Sequence, residues 1–117
     1  MKPIHEVQAC DLTSQLLREE LGSRGYALIR GLLPLVDLSN LLAEIAQVLF
    51  KAGWLLPGRH PLECIADIKA ACGDPDPSFK RTYQEVFDLE SFHALPHHIA
   101  LKRVMNMLVG KQVLIHP

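Results

Sequence analysis

The sequence predicts a mainly α-helical chain with two short β-strands, an α+β arrangement, on three observations. Leucines and aromatics recur at i, i+3, i+4 and i+7 over several segments, the spacing that gives a helix one apolar face. Two short β-capable runs, residues 25–31 and 113–116, stand apart from that periodicity. Glycine and proline punctuate the chain between the segments, with no linker or repeat to divide it. With 49% hydrophobic and 21% charged residues over 117 positions, the composition is that of a folded domain rather than a disordered chain.

The elements follow in order. Asp11 is placed to cap a helix carrying Leu12, Leu16, Leu17 and Leu21, with Gly22 as its stop. The run Gly25-Tyr26-Ala27-Leu28-Ile29-Arg30-Gly31 reads as a strand bracketed by glycines. Pro34 opens the strongest helix, whose buried stripe is Leu38, Leu41, Leu42, Ile45, Val48 and Leu49, and Gly53 ends it. Trp54-Leu55-Leu56 follows as an apolar tail. Pro61 suits the first position of a helix to Cys72 that would bury Ile65, Ile68 and Cys72, with Gly73 as its stop. After the turn at residues 74–77, Phe79, Tyr83, Val86 and Phe87 share a helix face. A break over residues 88–96 precedes a helix burying Leu101, Val104, Met105 and Leu108 and ending near Gly110, and residues 113–116 form the second strand. Two short strands do not make a stable sheet without further strands or a helical cover, so either a part of the fold is expected to be missing or a homo-oligomer or compact helical bundle completes the core.

Charge and motifs remove several functions. Twelve Lys+Arg against thirteen Asp+Glu leave a net charge of -1, and aromatics are 6%, so neither an electrostatic nor a stacking platform for nucleic acid is expected. No apolar leader follows Met1. The stretch over residues 32–49 is broken by Pro34, Asp37, Asn40, Glu44 and Gln47, so no membrane span is expected. Cys10, Cys64 and Cys72 form no CxxC pair and suggest free thiols in a reducing cytoplasm, with Cys64 and Cys72 as small apolar helix residues. No GxGxxG, GxxxxGK[ST] or GxSxG occurs. Lys80-Arg81, Lys102-Arg103, Glu19-Glu20 and Glu85/Asp88 read as solvated surface.

Six histidines invite a metal reading. A mononuclear iron site takes two His and one carboxylate, and His-x-Asp/Glu is the short pattern that supplies two of them. The residues two places after the first five histidines are Val7, Leu62, Leu95, Ile99 and Ala100, so the pattern does not occur. His93, His97 and His98 could build a zinc site, but Pro96 disturbs the helix that would align them. Loop and helix-start histidines with polar partners are the favoured alternative.

Two stretches carry a resemblance. "LREELGSRGYALIRGLLP" with the leucine-rich helix ending "KAGWL", and "YQEVFDLESFHALPHHIALKRVMNMLVGKQVLIHP", resemble the N-terminal region of phytanoyl-CoA dioxygenase-type proteins. The order and spacing of the parts carry the likeness; residues 57–78 contribute least. The resemblance implies a double-stranded β-helix flanked by helices, with Fe(II) and 2-oxoglutarate hydroxylating a small molecule in a complete member. The family's His-x-Asp motif, distal His and 2-oxoglutarate-binding Arg fall beyond the matching strand, so no catalytic or metal residue transfers. Residues 1–117 are then expected to be a single incomplete domain, holding no cofactor and inactive alone. The matching strand enters the barrel in the family, which offers His116 as a pocket-facing residue of a complete protein, with a surface strand end as the favoured reading. The alternative is a stand-alone helical binding or assembly module. It would use apolar surface at Trp54-Leu55-Leu56, or the edge of the C-terminal strand, to bind itself or a partner.

Overall fold

Short extended and helical segments alternate through the computed structural model, which describes residues 4–115. The elements are β1 (Glu6–Gln8), α1 (Ser14–Arg24), β2 (Leu28–Arg30), α2 (Leu35–Lys51), α3 (Pro77–Phe87), α4 (Glu90–Ala94) and α5 (Ile99–Val109), with 3-10 turns between them. The mainly helical fold with two short strands is as expected. Its internal contacts gather into two compact units, one formed by the chain up to Leu35 and from Pro96 on, the other by Val36–Leu95.

In the first unit β1 and β2 are parallel, with Glu6 opposite Leu28, Val7 opposite Ile29 and Gln8 opposite Arg30. A parallel pair needs a crossover, and α1 provides it. The second strand is thus Glu6–Gln8, not residues 113–116: residues 113–115 form no strand, and His116 lies outside the described residues. The Val113 N–H instead donates to Asn106 Oδ1 at 3.0 Å. Only Val7 is apolar in β1, too little pattern to announce a strand.

Helix α1 is capped by Thr13, whose hydroxyl accepts from Leu16 N, while Asp11 sits in the preceding 3-10 turn. The helix passes through Gly22 and stops at Gly25, left-handed at φ 76°, whose N–H returns to Leu21 O. Gly25 turns the chain directly into the strand, which Gly31 (φ 69°) closes. Helix α1 packs on α5, and the buried apolar side chains of this unit are Val7, Leu17 and Val104. Helix α5 starts at His98, whose Nδ1 accepts from Ala100 N, and ends at left-handed Gly110. Of its expected stripe Val104 is buried and Leu101 half-buried, while Met105 and Leu108 are exposed.

In the second unit the buried centre of α2 is Ala46; Leu38 and Leu42 are exposed and Leu41, Ile45, Val48 and Leu49 half-buried. The expected helix over residues 61–72 is absent. Two 3-10 turns, Pro61–Glu63 and Ile68–Ala70, stand there instead, because local caps outcompete helix propagation. The His60 ring and the Glu63 carboxylate close a reciprocal cap, Cys64 leaves the turn with φ 50°, and the Asp67 side chain accepts from Lys69 N. The chain between those turns pairs back on the apolar tail through the antiparallel bridge Leu55–Ala66. Backbone bonds of 2.8 Å from Leu56 N to Ile65 O and from Asp67 N to Trp54 O flank it. Ile68 is consequently 87% exposed, and Cys64 and Cys72 are exposed loop residues rather than buried helix residues. Helix α3 forms as expected behind the Asp76 cap, but its buried side chain is Thr82. The expected break over residues 88–96 contains the short helix α4.

Candidate functional site

Of the histidines the sequence offers for zinc, His93 and His98 are occupied locally. His93 Nε2 bonds the Phe87 carbonyl at 2.5 Å, and its ring meets Phe87 edge-on at 4.7 Å. His98 caps α5, and His60 caps its 3-10 turn. Among the described residues no three His, Cys, Asp or Glu side chains come together to hold a metal. The zinc set of His93, His97 and His98 therefore does not form, and the described residues offer no ligand group that fits Fe(II). The three cysteines are free and exposed. Among the described residues no helix is long and apolar enough to cross a membrane.

Glu20, expected on the surface, is 6% exposed. One carboxylate oxygen, Oε2, takes both His5 Nδ1 at 2.9 Å and Arg24 Nε at 2.8 Å. The His5 N–H donates to the Tyr26 hydroxyl, so the residue before β1 is tied to α1 and to the approach to β2. Across the strands Arg30 donates to Glu6 at 2.6 Å. That hydrogen bond, with the charge attraction, holds the Glu6 carboxyl below the ordinary glutamate range and raises the Arg30 guanidinium. Asp76 is lowered first by the Ser78 hydroxyl and then by the Ser78 N–H, as befits a helix cap. These groups tie structure together; none forms a catalytic set.

The second unit presents a row of rings. Trp54 stacks on Phe79 at 6.1 Å, Phe79 on Tyr83 at 6.2 Å, and Tyr83 on Phe87 at 6.4 Å. Phe92 continues the row, tilted against Phe87 at 6.1 Å. The i, i+4, i+8 spacing on α3 made the middle of this row legible, but not that it stays open: Tyr83 is 60% exposed. Trp54 joins because the Leu55–Ala66 bridge fixes the loop that carries it. Beside Trp54 and Phe79 lies an apolar cleft of about 520 Å³, walled by Ile68, Ala71 and Cys72. Of the apolar tail expected to form a contact surface, Leu55 is buried in its bridge, leaving Leu56 and the Trp54 face.

Little of the apolar content is covered. Among the described residues the buried apolar side chains are Val7, Leu17, Ala46, Leu55 and Val104, while Leu35, Val36, Ile99 and Leu114 are each more than 60% exposed.

No protein-family model, curated protein or solved structure matches the chain.

Proposed function

We propose that this chain is the helical N-terminal portion of a phytanoyl-CoA dioxygenase-like oxidoreductase. The complete protein would hydroxylate a small molecule with Fe(II) and 2-oxoglutarate; these 117 residues are catalytically incomplete. The observation that carries the reading is the uncovered apolar surface. A domain with 49% hydrophobic residues that buries so few of them is a supporting layer waiting for a further layer. The order of parts supports it too: a helix closed by Gly25, a strand closed by Gly31, then a long helix after Pro34, the sequence of elements that the resemblance implies. Because the described residues do not fit a metal, no reaction step is assigned to them. Free, exposed thiols agree with a reducing cytoplasm, and the net charge of -1 with a role away from nucleic acid.

The test is turnover by the purified chain with Fe(II), ascorbate and 2-oxoglutarate. No oxygen-dependent succinate above the iron-only control is expected. Succinate formation would put a complete site within these residues and overturn the incomplete part of the reading.

A second reading, a helical binding or assembly module without enzymatic activity, is favoured by one observation, the open aromatic row centred on Tyr83. Sedimentation separates it. A concentration-dependent dimer that Tyr83→Ala abolishes supports the module, and a monomer at every concentration counts against its self-association.

A further inference from the structure

The arginines of this chain divide into two groups. Arg24, Arg30 and Arg59 each hold a carboxylate. Among the described residues Arg18, Arg81 and Arg103 hold none. Two of those three, Arg18 on α1 and Arg103 on α5, border one groove in the first unit. The groove begins as a cleft of about 360 Å³ with Val104 at its buried floor and Leu12 and Leu32 in its walls. Ile99, Arg103 and Met107, at helical spacing on α5, continue from this cleft into the shallower trough that Arg18 borders. Among the described residues no acidic side chain lines either part.

We propose that this groove binds a small anionic amphiphile, its carboxylate or phosphate head on Arg18 and Arg103 and its apolar tail in the cleft between α5 and the Leu12 and Leu32 segments. The guanidinium fork matches the planar or tetrahedral oxygens of both head groups and forms charge-assisted pairs with either. A neutral ligand would gain no charge-assisted hydrogen bond from the two guanidiniums. The cleft volume sits at the small end of small-molecule sites, roughly 300–1,000 Å³, and is short for a bound helix. Ile99, 74% exposed, supplies an apolar lip that a tail would cover. The inference uses only side chains of this unit, and its test reads binding by this chain itself, so its failure leaves the dioxygenase reading untouched.

Calorimetric titration of the full chain with decanoate, decyl phosphate and decanol, each below its micelle concentration, tests it. At least one anionic probe is expected to bind with 1:1 stoichiometry, and decanol at least tenfold more weakly. Preference between the two anions then separates a fatty acid from a phosphate-headed lipid. Arg103→Gln and Arg18→Gln should each weaken the anion at least fivefold, with Arg81→Gln unchanged. Both side chains are exposed, so folding should survive, and far-UV circular dichroism checks it; if one variant unfolds, the other carries the test. Equal binding of decanol and decanoate, no saturable binding, or arginine variants that bind like the parent would overturn the proposal. So would tight binding of an acidic helical peptide with none of decanoate.

Discussion

Truncating Leu17 should strongly destabilise the first unit. Leu17 lies on α1 at 2% exposure, and α1 is the helix that packs on α5. Leu17→Ala removes three carbons, worth about 2.4 kcal/mol of transfer free energy at roughly 0.8 kcal/mol per buried carbon. The cavity left behind brings the loss to about 3 kcal/mol or more. A domain of this size is stable by only about 5–15 kcal/mol as a whole. Among the described residues of the first unit the further buried apolar side chains are Val7 and Val104, so few contacts remain to absorb the loss. Hydrogen exchange should therefore show reduced protection in β1, β2 and α5. Leu21→Ala, on the same helix at 37% exposure, is the control and should cost below about 1 kcal/mol. Equal effects of the two substitutions would refute the assigned core.

Thr13→Ala removes the α1 cap and should cost about 1 kcal/mol in urea denaturation, whereas Asp11→Ala, outside the cap, should be near neutral. Gly25→Ala forces a side chain into the left-handed region and should cost about 1 kcal/mol, although nothing crowds the added carbon. Glu6 is lowered by Arg30, so its contribution is present above the ordinary glutamate value of about 4.3 and is lost as pH falls through the lower folded value. Glu6→Gln should accordingly flatten the acid limb of a stability-against-pH curve, as read by thermal melts between neutral and strongly acid pH. Glu20→Gln should loosen the His5 tie, seen as faster exchange of the Val7 amide.

Long periodic segments were legible in the sequence and short ones were not. Helices α2, α3 and α5 fall where leucine or aromatic spacing put them, because many residues contribute to each pattern. Their faces were read too generously: Leu38, Leu42, Met105 and Leu108 have the right spacing yet lie in water, since periodicity fixes a face but not what covers it. The residues 61–72 failed because Asp67 and the His60–Glu63 pair satisfy backbone donors within single turns, a competition that apolar spacing does not register. β1 was invisible because its stability comes from α1 returning the chain to a parallel neighbour, a long-range effect. Of the site features, the α3 aromatics were readable by spacing. The entry of Trp54 into their row, the burial of Glu20 and the shared groove of Arg18 with Arg103 depend on tertiary placement.

On the proposed reading, these residues support a dioxygenase site carried elsewhere in the same protein. Reading the coding sequence onward from the codon for Pro117 tests it most directly. The account predicts an in-frame continuation containing His-x-Asp or His-x-Glu, followed by a distal His and an Arg. A stop codon at that point, or a continuation without that pattern, would contradict it.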